Sequence, residues 1–148
     1  MTKYIDIYNR AMFRFSDYSF LDLENEIRNH IMQNFLKQAI IDFKPSCKNN
    51  LENYNDELGQ FNEVLGEEEQ EILALGIAYY WLSHKALNSE LLKNTMLRKD
   101  YNTYSPANLL KEITSLRDDL RKEYRGKINE YSFRYSNLDN LKVGGTSD

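Results

Sequence analysis

At 148 residues the chain is sized for one domain with a modest core, not for two. Its 41% hydrophobic and 28% charged shares fit an ordinary globular protein, and a net charge of -4 disfavours general nucleic-acid binding, which needs a surplus of Lys and Arg. One cysteine, Cys47, excludes an intramolecular disulfide and fits a reducing compartment, while prolines only at Pro45 and Pro106 leave room for long helices.

The opening "MTKYIDIYNR" carries Lys3, Asp6 and Arg10 and has no apolar core of a secretory signal, so folding in a cytoplasm is expected. Ile5, Tyr8, Met12 and Phe15 recur at helical steps and predict a short amphipathic helix ending near "FSDYS". A second helix is expected from a cap at Asp22, with Ile27, Ile31, Phe35, Ala39 and Ile40 as its buried stripe. Pro45 disfavours helix at Lys44 and should end it there. From Ser46 to Gly66 the pattern weakens. This stretch reads as a short helix or turn followed by an exposed loop, anchored by Leu51, Tyr54, Leu58 and Phe61.

"EEEQEILALGIAYYWLSHKAL", Glu67 to Leu87, follows with Gly66 as N-cap and three acids at the positive end of the helix dipole. Its apolar residues occupy every side of the helical wheel, which marks a helix that is buried or nearly so. Either its own chain surrounds it, or part of its aromatic face (Tyr79, Tyr80 or Trp81) packs on a neighbouring subunit. Ala74, Gly76 and Ala78 are small enough for another helix to approach closely. Its longest uncharged apolar run, Ile72 to Ser83, is about half a membrane span, so no membrane contact is expected. A break is expected at "LNSELLK", where Asn88 or Ser89 could cap a further short helix holding Leu91, Leu92 and Met96.

"SPANLLKEI" is the clearest helix start: Ser105 caps, and Pro106 takes the first helical position, where its missing N–H costs nothing. Leu109, Ile113, Leu116, Leu120, Tyr124, Ile128 and Tyr131 run down one face. Continued to Arg134, this helix would be about 40 Å long, beyond a domain whose radius of gyration should be about 15 Å. After it comes a tail, 136–148, ending in Gly-Gly-Thr-Ser-Asp, which cannot pack alone. The reading is all-α: a small bundle of about five helices in a domain 1–135, a long C-terminal helix and an extended tail.

Arg117, Arg121 and Arg125 line one stripe of the last helix, open to nucleic acid, to solvent or to another subunit. Asp118 before Lys122 and Glu123 before Lys127 stand in the favourable acid-first order and support a solvated face. His30 and His84 are too far apart for a local ligand pair, and a zinc site would need Cys47 or distant carboxylates. No nucleophile–base signature or Gly-rich phosphate loop stands out, so neither an enzyme nor a bound cofactor or metal is expected. The tyrosine excess, 11 residues, is more telling. Tyr131, Phe133 and Tyr135 lie where the last helix should leave its bundle, so they read as a protein–protein contact or as a terminal turn over the chain's own core.

The order of blocks from Tyr4 to Asp139 resembles head–tail connector (adaptor) proteins of tailed phages infecting Gram-positive bacteria. The blocks are the "IYNR" helix, "GEEEQEILALGIAYYWLSHKAL", "YSPANLLKE" and "LRDDLRKEY". The resemblance implies an all-α subunit of a ring, typically of twelve copies, assembled in the host cytoplasm and lodged in the neck of the virion beneath the portal protein. The ring would extend the DNA channel without sequence-specific binding and offer a platform to the next neck or tail-completion protein. It assigns portal or subunit contact to Tyr131, Phe133, Tyr135, Leu138 and Leu141, the tail ordering on docking. The bundle core would be Ile31, Phe35, Ile77, Trp81, Leu109, Ile113, Leu116 and Leu120. The rival reading is a small helical phage regulatory protein that binds one host protein.

Overall fold

A computed structural model describes residues 1–14, 24–97 and 106–146, with side chains described except at 89–107, 109 and 136–146. The chain is mostly helical, with four helices among the described residues instead of about five. They are α1 (Tyr4–Met12), α2 (Asn25–Phe43), α3 (Glu67–Leu97) and α4 (Pro106–Thr146). The missing break is the one expected at Asn88 and Ser89, through which α3 runs uninterrupted. Asn88 Nδ2 lies 3.2 Å from His84 Nε2, one turn back, so its side chain serves the helix interior and starts no new helix.

Each early helix buries part of its expected stripe, Tyr8 in α1 and Ala39 and Ile40 in α2, and centres the rest of its buried face one position away. In α1 the buried set is Tyr4, Ile7, Tyr8 and Ala11, whereas Ile5 is exposed. In α2 it is Met32, Leu36, Ala39, Ile40 and Phe43, with Ile31 and Phe35 at the margin and Ile27 exposed. The doubled apolar positions 31–32, 35–36 and 39–40 make a wide face, and its centre is set by what packs on it. α2 ends at Phe43, with Lys44 N–H bonded back to Ile40 just before Pro45. Phe15 and Asp22 lie outside the described residues.

The segment after α2, expected to be a turn and exposed loop, carries a small antiparallel sheet. Strands β2 (Tyr54–Asn55) and β3 (Gln60–Phe61) form a hairpin, and β1 (Thr2–Lys3) adds to β3, giving the order β1-β3-β2. Thr2 faces Phe61 and Lys3 faces Gln60 in this register. Gly59, at φ +63°, supplies the left-handed residue that the turn needs. Leu51, Phe61 and Leu65 are buried, while Leu58 points to solvent. Asp56, in the turn, accepts hydrogen bonds from Tyr4 Oη and Lys37 Nζ, both at 2.8 Å, tying the hairpin to α1 and α2.

α3 is the hub, with α1, α2 and α4 all packed on it. Its start is half of a capping box: Gly66 C=O accepts from Gln70 N–H, and the Glu69 side chain accepts from Gly66 N–H at 3.0 Å. Every residue from Ile72 to Ala78 is buried. At Gly76 three helices converge: a Cβ there would stand 2.6 Å from Ala39 Cβ and 2.9 Å from Tyr124 Oη. The close approach expected of the small residues is present.

α4 runs antiparallel to α3, placing Tyr124 over Gly76 and Tyr131 on Glu69. The tail expected to be extended is helical through Thr146, giving α4 41 residues and a length of about 60 Å. Gly144 and Gly145 each disfavour helix by about 1 kcal/mol, but no proline blocks continuation. Arg134 pairs with Glu68 in the first turn of α3, so residues 136–146 continue about 16 Å past that helix's start.

Of the expected core, Ile77 and Ile113 are buried, and Ile31, Phe35, Trp81 and Leu120 pack at its margin or half-buried against it. Leu116 is a correction: it is 56% exposed. The buried stripe of α4 is Ile113, Tyr124, Ile128 and Tyr131, and position 116 falls about 80° from its centre. The Leu109 side chain lies outside the described residues.

Candidate functional site

The residues assigned to an outward contact divide in two. Phe133 is 68% exposed. Tyr131 is a correction: it is 1% exposed and belongs to the chain's own core, its ring edge-on to Phe43 at 5.0 Å. Tyr135 is half-buried, 4.4 Å from the Tyr131 ring and 4.9 Å beneath Lys48 Nζ. The side chains of Leu138 and Leu141 lie outside the described residues.

Tyr131 is held inward by a polar clasp absent from the sequence reading. Glu69 is 3% exposed, and its carboxylate gathers donors from three parts of the chain. Asn49 Nδ2 reaches both oxygens at 2.8 and 2.9 Å, Cys47 Sγ–H donates at 2.9 Å, and Gly66 N–H at 3.0 Å. Tyr131 Oη accepts from Lys48 N–H at 3.2 Å and points its own proton toward Glu69 at 3.4 Å. A buried carboxylate is tolerated only when its lone pairs are this well supplied. Burial, reinforced by the Glu69 bond, pushes the Cys47 thiol up to about 12. Cys47 is therefore a protonated donor at neutral pH, not a nucleophile.

A second polar knot lies one helix turn from Gly76. Asp42 of α2 accepts from Tyr80 of α3 and, at 3.0 Å, from Tyr124 of α4. Burial and then the Asp42 charge push the Tyr124 phenol up, so it stays a donor. Tyr79 stacks on Tyr124 at 6.0 Å and meets Tyr80 edge-on. The aromatic face of α3 thus finds partners within the chain. Trp81 sits edge-on to Phe35 at 6.2 Å, with His84 beside both rings.

On the other side of α4, Arg14 bridges Glu71 of α3 and Glu123 of α4. Arg117 pairs with the adjacent Asp118. Neither acid-first pair expected on this helix, Asp118–Lys122 or Glu123–Lys127, is an ion pair among the described residues. Among the described residues no three His, Cys, Asp or Glu side chains converge as metal ligands. No described helix is long and apolar enough to cross a membrane.

The buried polar groups therefore lock helices together, while apolar side chains stay exposed on the outer face of α4 (Leu116, Phe133), on α2 (Ile27, Ile41) and just after α1 (Phe13). Sequence reasoning missed the Glu69 clasp and the Asp42 knot because their members lie 20 to 84 residues apart. One local signal was available: an acid at the third helical position after Gly66 is the capping-box spacing. No family model, no curated protein and no solved structure matches this chain.

Proposed function

We propose that this chain is a structural subunit of a tailed-phage neck, a head–tail connector that assembles as a ring on the portal. In this role twelve copies extend the DNA channel and present a platform to the next neck or tail-completion protein. The observation that carries the reading is the mismatch between α4 and its bundle. A helix of about 60 Å runs past the start of α3, with Phe133 exposed at the point of departure. Such an end suits insertion against another protein, with Phe133 and Tyr135 as the anchors and Leu138 and Leu141 following on the same helix. Tyr131 drops out of that contact set because the clasp holds it inward. The net charge of -4 suits a channel wall that does not grip passing DNA.

The test is removal of residues 136–148 followed by co-assembly with portal rings. Loss of portal binding is expected from a variant that loses only the helical signal of residues 136–146 and keeps its thermal stability. Unimpaired binding would remove the helix end from the mechanism. A full-length chain that stays monomeric by light scattering with portal present would favour the host-protein regulator instead.

A further inference from the structure

We propose that α4 carries both halves of a contact between copies of this chain: a basic flank of Arg121, Lys122 and Arg125 that docks on an acidic flank of Glu112, Asp119 and Glu130 in the next copy. The proposal rests on the part of the connector reading that has copies assemble, and it names the surfaces they use.

At 3.6 residues per turn, Arg121, Arg125 and Lys122 fall roughly 60–160° to one side of the buried stripe of α4, and Glu112, Glu130 and Asp119 about 120–140° to the other. All six are exposed. None takes part in an ion pair among the described residues. The charges that interrupt each flank are largely engaged elsewhere. Asp118, on the basic side, pairs with Arg117, and Arg134, toward the acidic side, pairs with Glu68. Lys127, which edges the acidic side, is half-buried. Glu123 on the acidic side turns to Arg14, just after α1, while on the opposite side Arg125 lies over the Tyr124 ring at 5.9 Å. Arg121 and Arg125 thus stand about 140–180° around the helix from Glu112 and Glu130 and cannot meet them within one chain, while Lys122 and Asp119 approach each other along the outer edge without forming an ion pair among the described residues.

Nucleic acid or an anionic surface would be drawn to one flank and repelled by the other. A second copy supplies a complement to each. Because the patches differ, the contact is head-to-tail and repeats from copy to copy until it closes. Exposed Leu116 beside the acidic flank and Phe133 beyond the basic one add apolar area that complementary charge alone would lack.

The experiment is sedimentation velocity on the full-length protein and two charge-reversed variants. Arg121→Glu/Lys122→Glu/Arg125→Glu has two acidic flanks, and Glu112→Lys/Asp119→Lys/Glu130→Lys has two basic ones. The unaltered protein should self-associate at about 0.05 M salt, with affinity falling about tenfold by 0.5 M as screening shortens. Each variant alone, with unchanged circular dichroism, should associate about 100-fold more weakly. An equimolar mixture should recover association with one-to-one composition, since every contact then joins opposite charges. A protein monomeric at every ionic strength, variants that associate like the unaltered chain, or a mixture that stays monomeric would each overturn the contact. So would DNA retention that the basic-flank reversal abolishes while self-association is unchanged. Portal binding by a chain that never pairs through these flanks would overturn the contact and leave the connector reading standing. Flank-dependent association without portal binding would do the reverse.

Discussion

α3 and α4 differ in how much of each the chain can cover. α3 is apolar on every side, and its residues from Ile72 to Ala78 are buried by α1, α2 and α4. α4 is longer and more polar, buries one narrow stripe, and leaves Leu116 and Phe133 in solvent. The lesson concerns where surplus surface lies. An all-round apolar helix needs three neighbours, and this chain supplies three. Between these two, the polar helix has more surface to spare, because a single neighbour covers only about a third of a helix's circumference.

The sharpest way to break that contrast is at Gly76. A Cβ there would overlap Ala39 Cβ, which is fixed to its own backbone and cannot rotate away. Gly76→Val should therefore destabilise by ~3 kcal/mol through forced separation of three helices. Urea denaturation would measure it, and a neutral result would mean that α2, α3 and α4 do not converge at this point. Gly126, on the exposed side of α4, has nothing within 4 Å of a Cβ. There, Gly126→Ala should stabilise by about 1 kcal/mol through helix propensity.

The next largest effect tests the clasp that binds α4 to the start of α3. Glu69→Ala leaves Asn49, Gly66 N–H and Cys47 without their buried acceptor and should cost about 2 kcal/mol. Thermal unfolding would check it. Loss of the Tyr131 inward hold should also raise amide exchange in the C-terminal half of α4 above that in α3. Equal exchange in both helices would show that the clasp does not control α4.

The mostly helical character and the closeness of helices at Gly76 were legible because apolar periodicity and residue size are local properties. The one-residue rotation of α1 and α2 was not, because Ile31–Met32 and Phe35–Leu36 offer two equally apolar stripes and α3 decides between them. The hairpin was hidden by strands of two residues each, too short for alternation to register. The clasp was hidden for another reason. Cys47, Glu69 and Tyr131 are unremarkable alone and gain meaning only when the fold brings them within hydrogen-bond reach.

Titration gives a smaller, one-sided effect. Cys47 is raised from 9.0 to about 12, and burial pushes Tyr124 and Tyr131 up as well. The folded state therefore holds protons that the unfolded chain releases. The stabilisation is complete below about pH 9 and is lost as pH rises through the folded values. Stability should decline from pH 9 upward in parallel with alkylation of Cys47. At pH 8.5 iodoacetamide should label the native thiol at least about 100-fold more slowly than the urea-unfolded one. Equal rates would place Cys47 outside the clasp.

The last contrast discriminates between the two sides of α4, and its informative half is the small effect expected at Leu116. Leu116 and Ile113 are both apolar and one helical turn apart, and periodicity alone puts both in the core. The fold separates them, at 56% and 5% exposure. Ile113→Ala removes a buried side chain and should lower stability measurably, whereas Leu116→Ala removes contacts with water and should stay within about 0.5 kcal/mol. Leu116→Ala should still weaken association between copies in sedimentation, since its side chain adjoins the acidic flank. A variant that loses fold stability and leaves association untouched would return Leu116 to the interior, and with it the width of the face that α4 turns inward.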